Sequence, residues 1–339
     1  HKNVKGITTT KNDSRFSKVE AQKMHQIQNY FMGVHLWWQT KVLKVLWSTN
    51  FKTAIFLGDM KILSNWIGIL ICRIRRKQVA FWTHGIYGNE KGLKKTTRLF
   101  FLSLADQLFL YENRAKRILL KHNFSEEKLH VVYNSINLKN QTKVYKKLLK
   151  KRQKKRECKP YNLIFFGRLT KIKKVHLLIA ALASLNKKRI SYKLKIVGDG
   201  PEKKYLKLLV KKFKSELYIE FVSATYDESQ IGNLFFEADL LVSPGNVGLN
   251  AVHALSYGTP VLTHINFKNQ MPEHETIKDN FNGCFHNEND SFNLELKIKE
   301  WFENHHKNIS REKIRKRLIE KYNPVYQAKI FERVLLQNS

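Results

Sequence analysis

Three glycine-bearing turns and one histidine are the places in this chain where backbone and side chains together could hold an anion. The first turn is Gly167-Arg168, which ends the apolar run Asn162–Phe166, with Lys173 five residues after the arginine and just ahead of an amphipathic stretch. Two cations and a helix amino end at the carboxyl edge of a sheet suit a diphosphate: the helix end supplies free N–H groups and the cations supply charge. The second turn, Val197-Gly198-Asp199-Gly200-Pro201, joins a strand to a helix with Pro in the first helical turn, and reads by itself as structural. The third lies in residues 239–263, where a buried strand ends at Ser243-Pro244 and Gly245-Asn246-Val247-Gly248-Leu249 leads into a helix. Glycine there lets the backbone approach a ligand, and the helix dipole favours negative charge. His84, in a Thr-His-Gly strand end, could contact a phosphate or orient a hydroxyl. A lone His among 13 is otherwise more often structural.

These groups need a scaffold of short strands. From residue 53 onward, apolar runs of 4–6 residues alternate with amphipathic stretches of about 10–15, the pattern of βαβ units. Strands are expected at 53–57, 78–83, 107–111 and 128–133, with helices at 61–75, 90–104 and 113–122 between them. Lys139 to Lys159 then holds 11 Lys+Arg and one acid, and reads as an interdomain linker. The alternation restarts with strands at 162–166, 193–197, 218–222, 239–243 and 260–263, and helices at 176–187, 203–213, 228–236 and 247–257. Helices close the chain near 292–304, 311–322 and 325–336. The division is a first α/β domain at 1–142, a basic linker at 143–159, a second domain at 160–322, and a final helix about 323–339 packing back on the first domain. Two such halves imply two Rossmann-like domains facing each other across a cleft. His35–Trp47 mixes three Trp with Lys and aliphatics at helical spacing, and reads as a helix lying on a membrane surface or packing its Trp face on the sheet.

The chain has 339 residues, with 62 Lys+Arg against 28 Asp+Glu, a formal charge of +34. It is 42% hydrophobic, enough to bury a sizeable core, and its three scattered cysteines exclude a disulfide scaffold or a Cys-rich zinc site. The charge attracts nucleic acid, anionic lipid or acidic polysaccharide, or is simply a solvated Lys-rich surface. No zinc-finger spacing or RNA-binding aromatic motif accompanies it, so nucleic acid is not expected as a partner. The apolar run Trp66–Cys72 is far short of the ~20 residues a bilayer requires. No leader is read at the start, which is His1 rather than Met, and the natural amino terminus is expected to be missing or processed.

Taken together, the segments resemble the retaining glycosyltransferases of the GT-B fold, in the large nucleotide-sugar-using family 4. The resemblance rests on Gly167-Arg168-Leu169 with Lys173, Val197 to Pro201, Ala238-Asp239, Ser243-Pro244, Gly258-Thr259-Pro260-Val261, and Glu275-Thr276-Ile277 with Gly283. In the first half it rests on His84-Gly85 and Tyr133-Asn134-Ser135. It covers about residues 50–336. One departure stands out. The family places Glu, seven residues, then Glu around the anion-binding helix, and here those positions are Gly245 and His253.

The resemblance implies sugar transfer from a nucleoside diphosphate sugar to a hydroxyl of a glycan or lipid-linked acceptor, with retention. The setting would be cell-surface polysaccharide or lipopolysaccharide synthesis. His84, Arg168 and Lys173 would be catalytic. Gly167, Ser223, Ala224, Gly245, Asn246, Val247, Gly248, Leu249, His253 and Glu275 would hold the donor, with Glu275 on sugar hydroxyls and Ser223-Ala224 facing the base. His253 would meet the ribose or simply pack against the sheet. No Asp-x-Asp motif is present, so no metal and no cofactor are expected, and the chain would work in the cytoplasm, on the membrane face. The alternatives are a catalytically silent sugar-nucleotide or polysaccharide-binding protein, motivated by Gly245 and His253, and a basic nucleic-acid-binding protein.

Overall fold

The computed structural model describes residues 29–32, 36–151, 160–187, 191–306 and 310–337. Strands β1 (Asn29–Met32) and β2 (Leu36–Gln39) pair antiparallel, and α1 (Val42–Ser48) follows. Four parallel strands then form a sheet in the order β3 (Thr53–Leu57), β4 (Gln78–Thr83), β5 (Gln107–Leu110), β6 (Leu129–Val131). Between them run α2 (Leu63–Ile74), α3 (Gly92–Ser103) and α4 (Asn113–Leu120). Side chains alternate across the sheet, as strand geometry requires. Phe56, Val79, Phe81, Leu108 and Leu110 pack with the helices on one face, while Ala80, Phe109 and Val132 point to the other.

After α5 (Leu138–Lys151) comes a six-stranded parallel sheet built from β7 (Tyr161–Phe166), β8 (Tyr192–Val197), β9 (Ile219–Val222), β10 (Leu240–Ser243), β11 (Val261–His264) and β12 (Gly283–His286), in the spatial order β12-β11-β10-β7-β8-β9. Helices α6 (Val175–Leu185), α7 (Lys203–Lys212), α8 (Glu228–Glu237), α9 (Leu249–Ser256), α10 (Ser291–Glu300) and α11 (Arg311–Ile319) cover both faces. Leu163, Phe165, Leu240 and Val242 belong to the core on the α6 side, and Ile164 and Leu241 to the core on the α9 side. The last helix, α12 (Pro324–Gln337), returns to the first sheet, where the Phe331 ring meets Phe109 at 4.2 Å and Trp82 at 5.4 Å.

The turns after β7 and β8 lie in backbone contact. Gly198 has φ +146, and a Cβ on it would stand 2.0 Å from the Gly167 carbonyl oxygen, so only glycine brings the two loops together.

Two expectations are corrected. The helix read over His35–Trp47 is a strand and then a helix: Trp37 N–H donates to the Lys61 carbonyl at 2.9 Å, Lys41 turns the chain with φ +66, and only Val42–Ser48 is helical (His35 lies outside the described residues). The basic linker at 143–159 begins as helix, since α5 runs to Lys151. Charge density hid a helical stripe: Gln141, Val144 and Tyr145 are buried, with Leu148 packed beside them against the core that holds Ile231 and Phe235 of α8. Residues 152–159 lie outside the described residues.

Candidate functional site

The carboxyl ends of the two sheets face each other. In the second sheet the chain leaves β7 toward β8 and β9 on one side, and β10 leads to β11 and β12 on the other. The β7/β10 junction is therefore the topological switch point, where open α/β sheets bind ligands. Arg168 and Lys173 ride on the β7–α6 loop, and Asn246, Gly248 and Leu249 on the β10–α9 loop. Arg168 is exposed, whereas Lys173 is half-buried and its Nζ donates to the Asn246 carbonyl at 2.6 Å. Burial pulls the Lys173 ammonium down to about 8, with the Glu273 carboxylate opposing it.

Glu273 is 2% exposed. One carboxylate oxygen accepts from Asn134 Nδ2 of the first half at 2.9 Å, and the other has no partner among the described residues. Burial raises the acid. Across the cleft the His84 ring stacks on Tyr87 at 5.6 Å and meets Tyr111 at 4.6 Å, tilted by 36°. Burial lowers the His84 imidazole, helped by the Arg98 charge. Burial pushes the Tyr111 hydroxyl up, and the Glu273 charge adds to the effect.

Several expected donor contacts sit differently. Gly245 has no room for a side chain, because a Cβ would stand 2.0 Å from the Ile172 carbonyl oxygen. Its N–H donates to the Lys173 carbonyl at 3.1 Å, and Val247 N–H donates to Gln270 Oε1 at 2.9 Å. Both are thus committed within the protein, and the N–H groups of Gly248 and Leu249 take part in neither bond. Gly167 holds the loop together beside Asn250, whose Nδ2 donates to the Phe166 carbonyl. Ser223 and Ala224 lie exposed just past β9, on the same sheet edge. His253 Nδ1 meets Gln141 Nε2 of α5 at 3.1 Å, so a ribose could be met only through Nε2.

Glu275, expected on donor hydroxyls, instead reaches across the cleft. Its carboxylate accepts from Asn113 N–H at 2.9 Å, Asn113 Nδ2 at 3.0 Å and Arg114 N–H at 2.7 Å, capping α4. The helix's own N-cap residue, Glu112, makes no cap bond. Glu112 is buried, and burial together with the Glu275 charge pushes its carboxyl up to about 7.

Sequence reasoning missed Glu273, Tyr111, Gln270 and Asn113. The available signal was Pro272-Glu273-His274-Glu275, two acids in one turn behind a proline, which invited the question of which acid faces the cleft. A cavity of about 350 Å³ opens beside the site, lined by Tyr87 and Asn89 from the first half and Ile172, Asn246, His264 and Glu288 from the second. A larger one of about 1050 Å³ touches Asn162, Lys193, Asp239 and Pro260, at the amino ends of the strands and away from the ligand edge. Among the described residues no group of three His, Cys, Asp or Glu side chains is placed to hold a metal ion.

The fold of this chain recurs among solved structures. Among solved structures it is similar to the apo form of the lipopolysaccharide outer core galactosyltransferase WaaB, at 16% identity and a TM-score of 0.67, over 87% of this chain and 78% of that one. It is similar to HepE from Anabaena in complex with UDP, at 18% identity and a TM-score of 0.67, over 87% and 82% of the two chains. A glycosyltransferase from Rickettsia africae aligns at 19% identity and a TM-score of 0.67, over 88% and 80%. The fold is accordingly the GT-B fold, two parallel-sheet halves meeting at their carboxyl edges. No curated protein matches the chain by sequence. The model of the family "Glycosyl transferases group 1" matches residues 146–321, a stretch that holds the Gly167-Arg168 turn, Lys173, both glycine loops of the switch point and the Glu273–Glu275 turn, and the chain belongs to that family.

Proposed function

We propose that this chain moves a sugar from a nucleoside diphosphate sugar to a hydroxyl of a glycan or lipid-linked acceptor, with retention of configuration, in the assembly of cell-surface polysaccharide or lipopolysaccharide. The observation that carries the reading is the switch point itself: Arg168, Lys173 and the first turn of α9 converge there, opposite His84 and Tyr111. The similarity to structures solved with UDP and UDP-glucose supports the same donor class. As the bond from the anomeric carbon to the diphosphate breaks, negative charge grows on the leaving phosphate. Arg168, Lys173 and the N–H groups of Gly248 and Leu249 stabilise that charge without a metal. The acceptor oxygen bonds to the same carbon, and its proton passes to the departing phosphate oxygen. No protein nucleophile takes part. His84 orients the sugar, and Ser223-Ala224 and His253 meet the nucleoside.

Calorimetry with UDP and UDP-glucose, followed by NMR of the product's anomeric configuration, tests the proposal. Arg168→Ala removes a charge-assisted contact of roughly 1.5–3 kcal/mol and is expected to slow transfer about tenfold or more. Absence of binding by any nucleoside diphosphate or its sugars would sink it. A second reading, a silent sugar-nucleotide-binding protein, is favoured by Gly245, where an acid has no space. Tight donor binding with neither transfer nor donor hydrolysis would select it.

A further inference from the structure

Two helices of the first half turn apolar side chains to solvent. On α2 these are Ile67, Leu70 and Ile74, exposed by 42%, 59% and 62%, spaced three and four apart on one face. The opposite face, with Gly68, Ile69 and Cys72, is buried. On α3 they are Leu93 and Phe100, exposed by 83% and 58% and seven residues apart. The Phe100 ring stacks on Trp66 of α2 at 6.3 Å, so the two helices lie side by side. Exposed apolar groups clustered in this way mark an interaction surface.

The surroundings identify the partner's chemistry. Neither helix contains an acidic residue. Asp106 is paired with Arg73 at 2.9 Å and Glu90 with Arg98 at 2.5 Å, and Asp59, in the loop ahead of α2, accepts from the Lys61 N–H at 3.0 Å. Arg76, Lys91 and Lys94 are exposed around the face, and with Lys95 they make no ion pair with a described residue. A second copy would bring the same cations against themselves. Residues 1–28 carry six Lys or Arg against two Asp or Glu, and so have the same sign. An apolar stripe ringed by unpaired cations complements an anionic lipid surface, where the side chains enter the headgroup boundary and the cations stay with the phosphates.

We infer that the α2–α3 face docks on an anionic membrane. Both helices start at the carboxyl ends of β3 and β4, the edge that carries His84, so the docked face begins beside the cleft. An acceptor with a lipid tail would reach the site without leaving the bilayer. No helix among the described residues is long and apolar enough to span one. The densest basic run, Lys143–Arg156, is a weaker candidate for that contact, because its described part belongs to α5, which packs against the second half.

The test is co-sedimentation of the full chain with phosphatidylcholine vesicles and with mixed phosphatidylcholine–phosphatidylglycerol vesicles. Binding of UDP, GDP and ADP is measured in parallel. Wild type is expected to sediment with the mixed vesicles and to release as salt rises. Leu70→Gln with Phe100→Gln, both at exposed positions, should lower partitioning at least tenfold, and Lys94→Glu with Lys95→Glu should do the same. Leu208→Gln, an exposed leucine on α7 of the second half, should change nothing. Equal partitioning of wild type and the Leu70/Phe100 variant overturns the proposal, as does a wild-type dimer that this variant dissolves. Vesicle binding by a chain that binds none of the nucleoside diphosphates leaves this inference standing and defeats the sugar-transfer reading. The reverse result does the opposite.

Discussion

Glu275→Ala should loosen the contact between the two halves. In the wild type the Glu275 carboxylate accepts three hydrogen bonds from the first turn of α4, at 2.7–3.0 Å, in a turn whose own N-cap side chain is turned away. Loss of a capping side chain costs about 0.5–2 kcal/mol. Loss of a carboxylate from a partly buried helix amino end adds roughly 0.3–1 kcal/mol. The sum, about 2 kcal/mol, applies only while the halves are together, because water satisfies the same N–H groups once they part. It corresponds to a shift of roughly 30-fold in the closing equilibrium, at about 1.4 kcal/mol per factor of ten. Glu275→Gln keeps an acceptor oxygen and loses the charge, so about half the effect is expected. Small-angle scattering should show a larger radius of gyration for the alanine variant, with glutamine between. UDP affinity should fall in the same order if the closed form is the one that holds the donor. Identical scattering curves for all three proteins would refute the argument, since the bonds would then contribute nothing to closure.

Lys173 supplies a pH prediction. Its ammonium is held down to about 8, so UDP affinity should fall as pH rises through that value, and Lys173→Arg should flatten the profile in calorimetry. Glu112 gives one for stability. Its folded value of about 7 lies above the ordinary 4.5, so the folded state holds the proton more tightly. That contribution, on the order of 3 kcal/mol, is present at low pH and lost as pH rises from about 5 through 7. Denaturant midpoints should trace this loss, and Glu112→Gln should remove the slope. Gly245→Ala forces a Cβ against the Ile172 carbonyl, so the β7–α6 and β10–α9 loops must separate. A stability loss of about 1–3 kcal/mol by denaturation and weaker UDP binding should appear together.

The strands of both halves were legible from sequence because a buried parallel strand is a local signal: a short apolar run such as Asn162–Phe166 or Asp239–Ser243 bounded by glycine or proline turns. The order of those turns along the chain also located Arg168, Lys173 and the β10–α9 loop at one sheet edge, since every carboxyl end in a parallel sheet lies on the same side. Local patterning failed where charge masked a stripe, as in α5, and where pairing with a distant backbone overrode helical spacing, as at Trp37. The roles of the two acids in Pro272-Glu273-His274-Glu275 were beyond sequence reasoning altogether. Glu273 and Glu275 differ in nothing local. What separates them is that Asn134 meets one and the α4 amino end meets the other, 139 and 162 residues away in the chain. The same holds for Gly245 and Val247, whose N–H groups look free in sequence and are claimed by Lys173 and Gln270 once the loops close over one another. A hydrogen bond is decided by what stands within 3 Å, and for these groups only the folded chain brings the partner there.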